Sequence, residues 1–221
     1  MLKKKKMKVG FIGLGMMGSR MATNVGKAGY QLMLYDMNKN IGNIIKKQVN
    51  NNNNNNNDNI TIASSIEEIA NNSNIIVTMV PASKEVKEVL LGNNGILNRA
   101  KAGSLITDCS TIDPDVSVEL NNLAENKDIA MIDAPVSGGV NGAEAATLTF
   151  MVGGTSSNVD RAKPLLEVMG KKIVHCGGII IIVINNNYDY HYCHHYHYRY
   201  NNNHVKVPEL VVLLSYVITF H

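Results

Sequence analysis

The chain has 221 residues, 45% hydrophobic and 18% charged, a composition typical of a globular α/β protein with one large domain or one domain and part of a second. Its formal charge of +3 comes from the start of the chain, because without Lys3, Lys4, Lys5, Lys6 and Lys8 it holds 16 basic and 18 acidic residues, a balance of −2. This predicts a solvated basic tail at residues 1–7, and it argues against a nucleic-acid partner. The three cysteines form no disulfide framework, and no apolar run reaches the roughly 18 residues that a membrane span needs.

A glycine motif follows the first predicted strand. The apolar run Val9–Leu14 predicts a buried parallel strand, and the pattern Gly13-x-Gly15-x-x-Gly18 then opens a helix. In such a turn Gly13 permits the tight bend, Gly15 lets the backbone approach a pyrophosphate, and Gly18 allows helix and strand to pack closely. The motif alone is a weak signal, because glycines also accumulate in loops for conformational reasons.

An acidic residue completes the pattern. A second apolar strand, Leu32–Tyr35, leads into Asp36, about 20 residues beyond the glycines. A carboxylate there bonds the ribose 2′-hydroxyl and repels a 2′-phosphate, so the ordered unit predicts NAD as the cofactor rather than NADP. The cofactor contacts predicted from this unit are Gly13, Leu14, Gly15, Met16, Met17, Gly18, Tyr35 and Asp36.

An asparagine run interrupts the chain at residues 50–59. It follows a polar segment whose isoleucines are compatible with a short helix, and it has nothing to bury, so we predict a disordered loop insertion. A prion-like interaction element is the alternative that this composition allows. Beyond the run, Ile60–Ala63 predicts a strand, and Ser65 predicts the N-cap of a short helix.

Strands and helices then alternate as far as residue 134. Strands are predicted at 74–80, 104–108 and 129–133, and helices over 86–92 and from Pro114 onward. This alternation predicts an α/β fold with a doubly wound, mostly parallel, Rossmann-like sheet. Because ligands lie beyond the carboxyl ends of such strands, Val80, Pro81 and Thr111 are further predicted neighbours of the cofactor.

A second glycine-rich segment follows the strand at 129–133. The Ser137 hydroxyl and the unobstructed backbone N–H groups of Gly138 and Gly139 are good donors to an anion, although a simple Ser/Gly turn fits the same letters. Further on, a strand is predicted at 148–152, a helix started or kinked by Pro164, and a strand at 172–175.

Three segments resemble the β-hydroxyacid dehydrogenase family, and the last two favour its hydroxyisobutyrate branch. They are GFIGLGMMG at 10–18, LITDCSTIDP at 105–114 and MIDAPVSGGVNGAEAATLTFMVGG at 131–154. The resemblance covers residues 8–177 apart from the asparagine run. It implies NAD-dependent oxidation of 3-hydroxyisobutyrate to methylmalonate semialdehyde in valine breakdown, by a mitochondrial homodimer or larger assembly. Relatives that act on tartronate semialdehyde or succinic semialdehyde are the alternatives.

The resemblance also assigns roles to single residues. It implies that Ser137, Gly138 and Gly139 hold the substrate carboxylate and that Val80, Pro81 and Thr111 line the NAD site. The family often carries an asparagine at the position of Glu85, so this further contact with NAD is not assigned to Glu85. Only seven residues precede Lys8, which is too few for a transit peptide, so a cytoplasmic location or a missing N-terminus is the alternative to a mitochondrial one.

The resemblance ends after residue 178. Family members continue with a helix bearing Ala-Lys-x-x-Asn-Asn, whose lysine is the catalytic acid/base, and then with an all-α domain. Counted without gaps, Asn186 stands at the position of that lysine, so the resemblance implies no catalytic residue in this chain. We therefore predict that residues 179–221 are an aberrant low-complexity tail from a misread or non-coding sequence, and that the all-α domain is absent. The tail should be disordered or packed without a consistent core, because its pattern matches neither helix nor strand for long.

The tail also holds most of the tyrosines and histidines of the chain. His191, Cys193, His194, His195 and His197 are metal-ligand types, but their spacing follows no zinc pattern, so no metal site is predicted. Two hypotheses follow for the chain: an NAD-dependent oxidoreductase of the hydroxyisobutyrate type, inactive as written, or a dinucleotide-binding pseudoenzyme or fragment without catalysis.

Overall fold

The computed structural model describes residues 7–52, 59–178, 180–185 and 188–193. A six-stranded sheet forms its centre, with the order β3-β2-β1-β4-β5-β6 and every neighbouring pair parallel. The strands are β1 (Lys8–Ile12), β2 (Gln31–Tyr35), β3 (Ile60–Ile62), β4 (Ile75–Thr78), β5 (Leu105–Asp108) and β6 (Ala130–Asp133). This order reverses direction between β1 and β4, as in a doubly wound dinucleotide-binding sheet, and it confirms the predicted Rossmann-like fold.

Helices cover both faces of this sheet. They are α1 (Gly18–Lys27), α2 (Lys39–Asn52), α3 (Ile66–Asn72), α4 (Ser83–Leu91), α5 (Ile96–Arg99) and α6 (Pro114–Glu125). Alternate residues of each strand enter two separate cores, as the two-residue repeat of a strand requires. Phe11 and Val77 lie in one core with residues of α1 and α2, whereas Ile12 and Ile76 lie in the other with residues of α3 to α6.

A second, three-stranded sheet continues from the end of β6. It contains β7 (Val136–Ser137), β8 (Leu148–Val152) and β9 (Gly170–His175), with helices α7 (Gly139–Ala145) and α8 (Ser156–Met169). Asp133 and Gly153 exchange backbone hydrogen bonds of 3.2 and 2.9 Å, which join β6 to the end of β8. The completely buried Phe150 belongs to the same core as Phe11, so the two sheets share a hydrophobic core.

Some elements differ from the prediction. The first three asparagines of the run, Asn50 to Asn52, belong to α2, because a helix already formed is extended at low cost. Helix α8 starts at Ser156, where the Thr155 hydroxyl accepts a hydrogen bond from the Asn158 amide, so Pro164 lies inside the helix and does not begin it. Helices α5 and α7 were not predicted.

Part of the tail after residue 178 forms regular structure. Strands β10 (Ile180–Asn185) and β11 (Tyr188–Cys193) pair in an antiparallel hairpin, and the backbone of β10 lies beside α6. The interpretation that the pattern supports neither helix nor strand for long is wrong for these residues, because β-branched and aromatic residues favour strands. Asn186, His194, His195 and His197 lie outside the described residues, and the described part contains no all-α domain.

Candidate dinucleotide site

The turn after β1 has a conformation that requires glycine. Gly13 has φ of +89°, and its amide donates to the Tyr35 carbonyl oxygen at 3.0 Å while the Met79 amide donates to the Ile12 carbonyl oxygen at 2.9 Å. A Cβ atom on Gly13 would collide with the Met79 backbone carbonyl, which cannot move without breaking the pairing of β1 with β4. The turn is therefore locked against the ends of both neighbouring strands.

The other two glycines of the motif face different surroundings. A Cβ atom on Gly18 would collide with the Gly13 carbonyl oxygen and lie 3.4 Å from the Phe11 ring, so Gly18 packs against the turn itself as well as the strand. A Cβ atom on Gly15 would meet nothing within 4 Å. Gly15 is exposed, at the start of α1, where free N–H groups and the helix dipole favour an anion.

Asp36 is oriented by two backbone amides. Its Oδ2 atom accepts a hydrogen bond of 2.7 Å from the Leu14 amide, and its Oδ1 atom accepts one of 2.8 Å from the Asn38 amide. Hydrogen bonds to an ionised acceptor are among the stronger ones in proteins, so the carboxylate is held in place beside the glycine turn.

The Leu14 side chain does not line the site. It is 1% exposed and belongs to the core, and its amide is already engaged by Asp36. The glycine motif predicted Leu14 as a cofactor contact together with its neighbours, and it gave no sign that the Leu14 side chain is buried in the core. Leu14 therefore acts on the site through the position that it gives to Asp36.

A cavity of about 680 Å³ lies between the glycine turn and α4. Every predicted cofactor contact except Leu14 lines it: Gly13, Gly15, Met16, Met17, Gly18, Tyr35, Asp36, Val80, Pro81 and Thr111. A second set of lining residues comes mainly from the strand ends and from α3 and α4: Ile12, Met37, Ile66, Met79, Glu85, Glu88 and Val89. Sequence reasoning missed these residues except Glu85, whose position it noted as a departure from the family. The hydrophobic spacing of α4 located that helix but gave no sign that its acidic residues face a cavity.

A buried carboxyl group organises the strand ends on the far side of the cavity. The Thr78 hydroxyl and the Ser110 amide both donate to Asp108 Oδ1, at 2.7 and 3.1 Å. The Ser110 hydroxyl oxygen in turn accepts a hydrogen bond of 3.0 Å from the Val80 amide. Asp108 thus fixes the backbone that carries the predicted contacts Val80 and Thr111.

The surroundings of Asp108 also change its acidity. Its Oδ2 atom is buried and has no hydrogen-bond partner among the described residues. Burial raises the pKa of the Asp108 carboxyl above its ordinary value of 3.8, against the opposing effect of its hydrogen bonds with Ser110 and Thr78. Burial, and then the neighbouring Asp108 charge, raises the pKa of the Cys109 thiol well above its ordinary value.

The predicted substrate-carboxylate residues lie outside this cavity. Ser137 is half-buried on β7, and Gly138 and Gly139 are exposed at the start of α7 with φ of +126° and +59°. A Cβ atom on Gly139 would meet nothing within 4 Å, so its backbone is open to approach. The structure therefore leaves Ser137, Gly138 and Gly139 accessible without joining them to the cavity.

Arg20 links this segment to the glycine turn. Its Nη1 atom donates to the Met16 carbonyl oxygen at 2.8 Å, and its Nε atom lies 3.3 Å from Glu144 Oε2 on α7. The Asn24 side chain adds a hydrogen bond of 2.7 Å to the Ala143 carbonyl oxygen. Helix α7, which Gly138 precedes, is thus attached to α1, which the glycine turn begins.

Other sites were sought among the described residues. Within them, no group of His, Cys, Asp and Glu side chains is arranged to hold a metal ion. None of the helices in this part of the chain has the length and apolar character needed to cross a membrane.

Comparison with known families agrees with this geometry. The family model of the NAD-binding domain of 6-phosphogluconate dehydrogenase matches residues 8–178. The chain belongs to this family. Its cofactor is therefore NAD, and the open Gly15 backbone, the oriented Asp36 and the cavity between them fit such a dinucleotide.

Individual relatives narrow the resemblance. The chain is 46% identical over 171 residues to a protein of Dictyostelium discoideum named probable 3-hydroxyisobutyrate dehydrogenase, mitochondrial, which covers 77% of this chain and 50% of the relative. It is 38% identical over 169 residues to an NAD-dependent L-serine dehydrogenase of Pseudomonas aeruginosa, covering 76% and 53%. The chain spans about half the length of these curated relatives.

Solved structures show the same similarity. The Mycobacterium tuberculosis 3-hydroxyisobutyrate dehydrogenase, whose structure includes L-serine, superposes with a TM-score of 0.69 at 34% identity. The superposition covers 78% of this chain and 55% of that one.

Replacing Asp108 with asparagine tests the buried carboxyl group. Because the folded-state pKa of Asp108 is raised, its protonated form stabilises the folded state below about pH 4, and this advantage is lost as the pH rises through the folded-state pKa. Asparagine does not titrate, so the stability of the parent relative to Asp108→Asn should fall as the pH rises above about 4 and through the folded-state pKa of Asp108. Urea unfolding at a series of pH values measures the difference.

A matched control uses Ser117, whose hydroxyl is also buried without a described partner. Ser117→Ala should shift stability by an amount that does not vary with pH, because neither residue titrates. A constant difference between the parent and Asp108→Asn over the same range would contradict the raised pKa.

Proposed function

We propose that residues 8–178 are the NAD-binding half of an oxidoreductase of the 3-hydroxyisobutyrate dehydrogenase type, acting on small β-hydroxyacids. The observation that carries the proposal is the cavity bounded by the glycine turn and Asp36, in a chain whose relatives have this activity in their names. NAD would supply the hydride acceptor when bound, and the residues of this chain would bind and orient it.

Three parts of the cavity have separate roles in this proposal. The amides of the turn at Gly15 and of the start of α1 bind the pyrophosphate, because Gly15 is exposed and the start of α1 is the positive end of a helix. Asp36 accepts from a ribose hydroxyl with the lone pairs that the Leu14 and Asn38 amides leave free. Val80, Pro81 and Thr111 form the opposite wall, held by Asp108 through Ser110.

The substrate carboxylate is assigned to Ser137, Gly138 and Gly139. Their support is chemical: the half-buried Ser137 hydroxyl and the open backbone of Gly139 are donors to an anion, and φ is positive at both glycines. The attachment of α7 to α1 through Arg20 keeps this segment at a fixed position relative to the glycine turn.

The substrate is proposed as 3-hydroxyisobutyrate, with methylmalonate semialdehyde as the product and valine breakdown in the mitochondrion as the setting. The mitochondrial relatives of Dictyostelium discoideum and Mus musculus, 46% and 45% identical, support this choice. The related L-serine dehydrogenase supports the wider class, since serine is also a β-hydroxyacid, and a semialdehyde reductase of the same class is the alternative.

The chain as written is proposed to bind NAD without turning over substrate. Oxidation of an alcohol releases a proton, and Asn186, which stands where the family lysine is expected, has no titratable group to receive it. This supports the second candidate function, a non-catalytic dinucleotide-binding module. Sequencing the transcript across Gly178 separates the two, because a spliced message encoding Ala-Lys-x-x-Asn-Asn would restore the enzyme.

The preference for NAD over NADP is tested at Asp36. The carboxylate is fixed by two amides, and none of the described residues that line the cavity is Lys, Arg or His. A 2′-phosphate would therefore be repelled by Asp36 with no described cation to compensate. The parent should bind NAD at least about tenfold more tightly than NADP, and Asp36→Ala should reduce this ratio of affinities. Calorimetric titration measures both affinities, and equal affinities in the parent would refute the role of Asp36.

The proposed lack of turnover is tested by NADH production from 3-hydroxyisobutyrate. Loss of a positioned general base lowers the rate by about 10²–10⁴-fold, so the chain as written should be at least that much slower than one with a restored Ala-Lys-x-x-Asn-Asn helix and second domain. Comparable rates would show that another group takes the proton. Calorimetry on the same preparations should find NAD bound by both, which separates the loss of catalysis from the loss of folding.

A further inference from the structure

A cavity separate from the dinucleotide site lies at the amino ends of the central strands. It has a volume of about 400 Å³, and residues at or just before the start of three neighbouring strands line it: Lys8 of β1, Asn74 before β4 and Ser104 before β5. The glycine turn and Asp108 lie at the opposite, carboxyl ends of these strands. Since the strands have four or five residues, at about 3.3 Å per residue, roughly 15 Å of sheet separates the two cavities.

One wall of this cavity is a four-residue turn that begins at Lys101 and ends at Ser104. The Ser104 amide donates to the Lys101 carbonyl oxygen at 3.0 Å, and Gly103 has φ of +81°, as the third position of a type II turn requires. The Gly103 amide donates to the Asp128 carbonyl oxygen at 2.7 Å, and Arg161 Nη2 donates to the Gly103 carbonyl oxygen at 2.6 Å. The turn is attached on both sides, so Lys101 is carried by a fixed backbone.

The facing wall joins Lys8 to Asn74. The Lys8 amide donates to Asn74 Oδ1 at 3.0 Å, and the Asn74 amide donates to the Lys8 carbonyl oxygen at 2.8 Å. The Asn74 Nδ2 group forms no hydrogen bond with any residue that the structure describes. Because the Oδ1 atom fixes the orientation of this side chain, its Nδ2 group is a positioned donor at the cavity wall.

The charged groups that line the cavity are all positive. Lys8 and Lys101 line it, and none of the described lining residues is Asp or Glu. Neither ammonium group forms an ion pair or a hydrogen bond within the part of the chain that the structure describes. A concave surface with charges of one sign concentrates ions of the opposite sign, so this cavity attracts anions.

A buried hydroxyl group adds a further donor. Ser73 lines the same cavity and is 4% exposed, and its Oγ atom has no hydrogen-bond partner among the described residues. The large majority of buried polar side-chain atoms in folded proteins are hydrogen-bonded. An oxygen acceptor that enters the cavity would supply the partner that Ser73 lacks.

We propose that this cavity binds a phosphate monoester group through Lys8, Ser73, Asn74 and Lys101. A phosphate monoester carries a charge of about −1.5 to −2 at pH 7 and three strong acceptor oxygens, which match two cations and two neutral donors. Soluble phosphate esters and the headgroup of phosphatidic acid share this chemistry. The site is independent of the proposed NAD site, because the two cavities lie at opposite edges of the sheet.

The test follows the backbone amide NMR signals of the full chain during titration with inorganic phosphate at saturating NAD. The cofactor occupies the amides near Gly15, so inorganic phosphate cannot bind there. The amides of Asn74 and Ala102 should shift with one common dissociation constant. Lys101→Gln should weaken binding by roughly fivefold or more, because a hydrogen bond to a charged group is lost. Lys101→Arg keeps the charge and the donors, so its affinity should stay within about twofold of the parent value.

Lys171→Gln is the matched control. It removes an exposed cation on β9, outside the cavity, and should leave the phosphate affinity at the parent value. Equal losses of affinity in Lys171→Gln and Lys101→Gln would assign binding to overall charge and overturn the site. Unchanged amide signals of Asn74 and Ala102 throughout the titration would overturn it as well.

Two further arms distinguish the sources of the phosphate group. Glycerol 3-phosphate is the soluble probe, and vesicles of phosphatidylcholine with phosphatidic acid are the lipid probe, compared with vesicles of phosphatidylcholine alone. Binding of either probe that Lys101→Gln weakens supports the site and identifies its source. Binding of neither, or binding that Lys101→Gln leaves unchanged in both arms, would overturn it. Failure of NAD to bind would overturn the proposed function alone, since phosphate titration without NAD still reports on Ala102.

Discussion

The hydrogen bond from the Leu14 amide to the Asp36 carboxylate joins the two ends of the first strand-helix-strand unit. Its length of 2.7 Å and its ionised acceptor make it one of the stronger contacts of the turn. It fixes the carboxylate that we propose as the ribose ligand, and it holds the chain in the bend that Gly13 permits. Gly15, Met16 and Met17, which follow in the turn, line the cavity, so the proposed recognition of sugar and phosphate depends on this contact.

Two aspartates support the site from different surroundings, one at the cavity surface and one buried. Asp36 lies at the cavity surface with both oxygens bonded to amides, and it offers negative charge to a ligand. Asp108 is buried below the opposite wall, where it organises Thr78, Ser110 and, through Ser110, the Val80 amide. Its raised pKa follows from that burial, and its function is to hold backbone in place.

The sequence predicted those features that depend on local backbone requirements. Gly13 needs a positive φ, Gly18 lies against the Gly13 carbonyl, and Asp36 ends a strand of recognisable pattern, so each could be assigned from a few neighbouring residues. The doubly wound parallel sheet followed from the alternation of strands and helices, whereas its strand order comes from the structure. Together they account for the cavity position of every predicted cofactor contact except Leu14.

The features that sequence reasoning missed depend on contacts between distant residues. Helix α7 contains two glycines and is held by Arg20 and Asn24, more than 100 residues earlier, so no local propensity revealed it. The Asp108 network requires the register of β4 against β5, and the position of Glu88 requires the packing of α4 beside the turn.

Amide hydrogen exchange in the full chain, followed by NMR with and without NAD, tests the central claim most directly. The Leu14 amide should be protected before NAD is added, because Asp36 already accepts its hydrogen bond. The amides of Gly15, Met16 and Met17 should exchange rapidly at first and become protected when the pyrophosphate binds them. A Leu14 amide that exchanges as fast as that of Met16, or a turn unchanged by saturating NAD, would contradict the account.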